Sequence, residues 1–117
     1  MNIYDLFSKG GDTSRGLKQA VIIHFKYGHT GLEPLHELES KLRILLFHEG
    51  TGELDGHEIA MDNTDGSLYF YGPNAEALFK SVRPFLLETP FIKKARVYLR
   101  FGAVDDPTVS DIDFILE

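Results

Sequence analysis

The chain has 117 residues, 43% hydrophobic and 26% charged, the size and composition of one globular domain able to bury a core without covalent staples. It has no cysteine, which excludes a disulfide scaffold, thiolate metal ligands and cysteine nucleophiles. Twelve Lys plus Arg against 18 Asp plus Glu give a net charge of −6, which argues against polyanion binding as the main task.

Residues 1–18 read as a short helix and a flexible connector, ahead of a single domain over 19–117. Ile3, Leu6 and Phe7 stand at helical spacing, and the glycines between 10 and 16 punctuate the connector. Asp5 interrupts the apolar stretch, so this is a poor signal peptide, and no segment approaches the length of a membrane span. The expectation is a cytoplasmic protein with no membrane partner. Residues 11–18 faintly echo a phosphate loop, but Leu17 intrudes before Lys18 and a strand follows where a helix is required.

The first strand is predicted over 19–27, with Val21, Ile23, Phe25 and Tyr27 on one side and Ile22, His24 and Lys26 on the other. Thr30 and Glu33 have the spacing of a capping box, and the helix it opens carries Leu35, Leu38, Leu42, Leu45 and Leu46 at i, i+3, i+4 spacing. Gly50 and Gly52 end it. Residues 53–62 alternate weakly, as an edge strand with Ile59 and Met61 on one face. Residues 63–66 supply a hairpin turn in which Gly66 takes the positive φ. The third strand, 67–71, sends Leu68 and Phe70 inward and Tyr69 and Tyr71 outward. Asn74 caps a second helix with Leu78, Val82 and Leu86 as its buried stripe, and Pro84 bends it or tightens its last turn. The fourth strand, 95–101, buries Val97, Leu99 and Phe101 and shows Arg96, Tyr98 and Arg100 opposite.

The order strand, helix, strand, strand, helix, strand predicts an α+β fold, the ferredoxin-like split βαβ (βαββαβ) two-layer sandwich with an antiparallel sheet. The name describes shape and implies no iron–sulfur cluster. Residues 111–117 alternate once more and read as an extra C-terminal strand. Pairing Arg100 with Asp111 keeps Phe114 on the core side and sets a basic stretch against an acidic tail. The alternative is that this tail crosses to a second subunit.

Helices on one sheet face leave His24, Lys26, Tyr69, Tyr71, Arg96, Tyr98 and Arg100 on the other, and this is the candidate binding face. Amphipathic aromatics flanked by cations suit a homodimer or protein-partner surface. A small-molecule pocket on this face is the sharper variant, with His24 as the general-base candidate beside Tyr69 and Tyr71. RNA-recognition domains share this architecture and stack bases on third-strand aromatics. Here the basic residue and glycine pattern of that motif are missing, so nucleic acid is not the expected partner. A toxin-immunity-type inhibitor is a further reading, by analogy alone.

Metal binding finds no frame in the spacing, and no cofactor is expected. His48, Glu49, Glu53, Asp55, His57 and Glu58 crowd the end of the first helix and the second strand, but His57 and Glu58 point to opposite faces. His36-Glu37 opens like a zincin motif, yet Ser40 stands where the second histidine belongs. Residues 62–66 lack the spacing and closing glutamate of a calcium loop. There is no Gly-x-Ser-x-Gly elbow.

Asp55-Gly56-His57-Glu58, then the run from Leu68-Tyr69-Phe70-Tyr71-Gly72-Pro73-Asn74 through Leu78-Phe79, then Leu99-Arg100-Phe101-Gly102, carry a resemblance. The chain resembles an uncharacterised bacterial family of small ferredoxin-like proteins with the pattern "DGxE … LYxYGPDADALF … LRYG". It departs at Asn74, where the family has Asp, and at Phe101, where it has Tyr. The resemblance implies the same fold and a bacterial cytoplasmic origin, and carries over no catalytic residue.

Overall fold

The computed structural model describes residues 19–102 and 111–117. The expected N-terminal helix, the connector and most of the loop before the last strand lie outside the described residues. The elements run β1 (Gln19–Lys26), α1 (Glu33–Glu49), β2 (Glu53–Ile59), β3 (Asp65–Gly72), α2 (Ala75–Leu87), a 3-10 turn (Pro90–Ile92), β4 (Arg96–Arg100) and β5 (Asp111–Ile115). They form an α+β structure with one five-stranded antiparallel sheet in the order β2-β3-β1-β4-β5.

The core lies between the two helices and one sheet face. Val21, Ile23 and Phe25 of β1 meet Leu68 and Phe70 of β3 and Val97 and Leu99 of β4, beneath Leu35, Leu42, Leu78, Val82 and Leu86 of the helices. The buried stripe of α1 differs from the expected one at two positions. Leu45 is only partly buried, while Glu39 is enclosed among the leucines.

Helix starts follow backbone chemistry. Asn74 caps α2 as expected, its Oδ1 accepting from the Ala77 N–H at 3.0 Å. The Thr30–Glu33 capping box does not form. Leu32 occupies the cap position without a side-chain bond, and the first helical bond runs from the His36 N–H to the Leu32 carbonyl at 2.9 Å. A cap at Thr30 would require Pro34 to donate to the Thr30 carbonyl, and proline has no N–H, so the helix begins two residues later. Gly50 ends α1 in the left-handed region, its N–H returning to the Leu46 carbonyl at 2.8 Å. Pro84 sits inside α2 near its end, where the Thr89 N–H reaches the Leu86 carbonyl and tightens the final turn.

The β2–β3 connection departs further from expectation. β2 stops at Ile59, Met61 is fully exposed, and the left-handed residue of the turn is Asn63 with φ 60°. Asp62 braces that turn by accepting from the Thr64 N–H and hydroxyl. Gly66 instead lies within β3, packed so closely that a Cβ would meet Ile59 at 2.6 Å and the Phe25 ring at 2.7 Å. Phe101 falls outside β4 and is only partly buried.

β2 also carries a bulge between Leu54 and Gly56, so that Asp55 has no partner in the ladder. The extra residue reverses parity along the strand. Leu54 faces the helices before it, and His57 and Ile59 face them after it. This accounts for the weak alternation of the segment. At the other edge β5 pairs with β4 in the expected register, Arg100 opposite Asp111 and Val97 opposite Phe114. The Leu116 N–H then ties back to the Ala95 carbonyl at 2.8 Å.

These starts make a paired prediction. In urea unfolding, Asn74→Ala should lower stability by about 1 kcal/mol through the lost cap, whereas Thr30→Ala should change it by less than about 0.5 kcal/mol. An equal loss at both positions would contradict the assigned helix starts.

Candidate functional site

The register brings all seven predicted face residues to one side of the sheet. Tyr71, Ala20 and Arg100 form one cross-strand row, Tyr69, Ile22 and Tyr98 the next, and Ser67, His24 and Arg96 the third. Lys26 follows, opposite Asp65. β5 extends the rows with Asp111, Asp113 and Ile115.

Burial divides this face. Ala20 and Tyr71 are enclosed, Ile22 and Tyr69 half-buried, and His24, Lys26 and Tyr98 exposed. Tyr71 is therefore a packing residue within the chain rather than a group presented outward. The exposed hydrophobic side chains of the face are Tyr98, 37% accessible, and Ile115, 41% accessible.

The cations of the face are answered within the chain. Lys26 Nζ pairs with Asp65 Oδ1 at 2.8 Å, Arg96 Nη1 with Asp113 Oδ2 at 2.9 Å, and Arg100 Nη1 with Asp111 Oδ2 at 3.4 Å. The Asp65 carboxylate raises the Lys26 pKa by hydrogen bond and charge. Asp65 and Asp111 stand directly across the ladder from Lys26 and Arg100, and Asp113 is a diagonal neighbour of Arg96, so the surface is a mosaic of both signs.

Both inner tyrosines are held as neutral phenols. Partial burial, and then the Glu58 carboxylate that accepts the Tyr69 O–H, push Tyr69 up to about 12 from 10.0. Burial first, and then the negative potential of Asp55, raise Tyr71 further. His24 shares a 2.9 Å hydrogen bond between its Nδ1 and Ser67 Oγ. The expected His24–tyrosine cluster is looser than predicted. Tyr69 is two residues beyond Ser67 on β3, a diagonal neighbour, but Tyr71 is four beyond it, roughly 13 Å along the strand. The cause is the register: His24 pairs with Ser67, which leaves Tyr69 one diagonal step away and Tyr71 two.

A concavity of about 310 Å³ lies elsewhere, at the end of the helix layer between the start of α1 and the 3-10 turn. His29, Pro34, Leu38, Lys41, Glu88 and Phe91 line it, and none of the seven face residues does. On α1, Ile44 and Phe47 are exposed one turn apart.

One further grouping escapes the spacing of the sequence. His36 and Glu39, one helical turn apart on α1, meet His57 of β2, and donor atoms of the three lie within 4.8 Å of one another. The i, i+3 spacing of His36 and Glu39 is visible in the sequence. The side of β2 that His57 occupies depends on the bulge at Asp55 and is not.

Comparison with protein-family models, curated proteins and solved structures finds no match for the chain. Among the described residues, no helix is long and apolar enough to cross a membrane.

The tyrosine environment has a measurable consequence. Tyr69 should ionise only near pH 12, followed by phenolate absorbance of the native protein against Tyr69→Phe. A raised value in the folded state favours the neutral phenol. Its contribution to stability is thus intact below pH 10 and is lost as the pH climbs from 10 to about 12. Glu58→Gln should lower the midpoint without restoring 10.0, because burial is the larger cause; a native midpoint near 10 would refute this environment.

Proposed function

We propose that this chain is a ferredoxin-like, non-enzymatic interaction module of the bacterial cytoplasm that forms a homodimer through the sheet face bearing Tyr98. Among the four strands β2-β3-β1-β4, the order and the helices on one side support the fold name. The bacterial, cytoplasmic part rests on the family resemblance of the central motif.

The observation that carries the interaction reading is the exposed Tyr98–Ile115 surface set among ion pairs completed within the chain. A two-fold interface brings a patch against its own copy, so a single-sign surface repels itself while a mosaic of both signs can be self-complementary. Tyr98, with Ile22 and Tyr69 beside it, supplies amphipathic contact area of the kind enriched at interface centres. His24 and Ser67 are the groups a small-molecule enzyme would use, and their 2.9 Å contact is the one feature favouring that second reading. The described concavity lies away from them.

Sedimentation equilibrium should give twice the 13.2 kDa of one chain, and Tyr98→Asp should return it to the monomer without loss of helical circular dichroism. A wild-type chain that remains monomeric, or a Tyr98→Asp variant that dimerises equally well, would sink the proposal.

A further inference from the structure

We propose that His36, Glu39 and His57 form a binding site for a divalent transition metal ion of the zinc class, on the helix side of the sheet. The site is separate from the tyrosine-bearing face and does not depend on the interaction reading.

Glu39 is the buried charged residue of α1. A helix position between Leu38 and Leu42, facing a sheet, calls for an apolar side chain, yet a carboxylate occupies it with only 7% of the residue exposed. Burying a carboxylate is costly unless it is paired or coordinates a cation. The nearest guanidinium on the same helix, Arg43, one turn on, is committed elsewhere: its Nη1 donates to the Leu54 carbonyl at 2.7 Å. What meets Glu39 is His57, with 2.9 Å between Oε2 and Nδ1.

The second histidine completes the set. His36 lies one turn before Glu39 on the same helix face, and its ring stands 5.9 Å from that of His57 at 48°. Ligands bound at about 2.0–2.2 Å in a tetrahedral arrangement lie roughly 3.4 Å apart. The three donor atoms all lie within 4.8 Å of one another, close to that spacing. His36 is exposed, while Glu39 is buried and already in contact with the partly buried His57.

The donor chemistry selects the class of ion. Two imidazoles and one carboxylate suit zinc, cobalt or nickel, whereas calcium and magnesium require sets of oxygen ligands. Two histidines and one glutamate on a tetrahedral ion leave a further position. The exposed side of His36 is where solvent or a small ligand would fill it. The bulge at Asp55 is integral to the site. Without that extra residue the parity of β2 would send His57 to the opposite sheet face, away from α1.

The test uses the full chain without a polyhistidine tag, treated with chelator, desalted and titrated with Zn²⁺ by calorimetry. One ion per chain should bind. His36→Ala, which removes an exposed side chain and should leave folding intact, should weaken binding by at least about tenfold, and His57→Gln by as much. His48→Ala, a histidine of α1 outside the group, should leave affinity unchanged. Co²⁺ should give the intense visible bands of a four-coordinate ion in the wild type and lose them in His36→Ala, a readout that stands even where His57→Gln fails to fold. No stoichiometric binding, or equal affinity in His36→Ala and wild type, would overturn the assignment and leave the Glu39–His57 contact as a purely structural link. Loss of affinity in His48→Ala equal to that in His36→Ala would also overturn it, by showing scattered surface binding.

Discussion

A β-strand turns successive side chains to opposite faces, and in this molecule helices cover one of them. Everything else depends on that asymmetry. β1 lies at the centre of the sheet, and its Val21, Ile23 and Phe25 must be buried beneath α1 and α2. The same alternation then commits Ile22, His24 and Lys26 to the other side. Antiparallel pairing on both flanks of β1 hands this choice to β3 and β4, so Tyr69, Tyr71, Tyr98 and the two arginines are placed by the burial of their neighbours.

Charge on that outer face is arranged by register, and the whole-chain total of −6 conceals it. Lys80 to Arg100 is a basic stretch and the tail after it is acidic. β5 lays the tail against β4, so that Arg100 and Arg96 find Asp111 and Asp113 within the sheet. Each of these exposed pairs adds little stability, on the order of 0–1 kcal/mol. Their consequence is the character of the surface: neither an anion groove nor a repulsive patch, but alternating signs around exposed tyrosine and isoleucine. That surface suits contact with a copy of itself.

Much of this was legible in the residues. Strict alternation in 19–26 and 67–71 marked both faces of the central strands, and the opposed charges of Arg100 and Asp111 marked the register of the last hairpin. Asn74 announced its helix because an Asx cap acts locally. Where the sequence misled, a competing constraint intervened. Pro34 vetoed the Thr30 cap, and Asn63 took the turn conformation assigned to Gly66, which close packing against Phe25 and Ile59 demands for another reason. Tyr71 reads like its neighbour Tyr69, yet burial separates them, and burial is a property of the folded chain. The His36–Glu39–His57 group required one inserted residue in β2 to change parity, which periodicity registers only as weak alternation.

In the proposed homodimer the Tyr98 surface is covered by a second copy of the chain. Tyrosine footprinting by rapid radical labelling, read residue by residue across a range of protein concentrations, tests it directly. Tyr98 should be labelled strongly in dilute solution and become protected as concentration rises, while the enclosed Tyr71 should be protected throughout. Labelling of Tyr98 that stays constant from the most dilute sample to the most concentrated would contradict it.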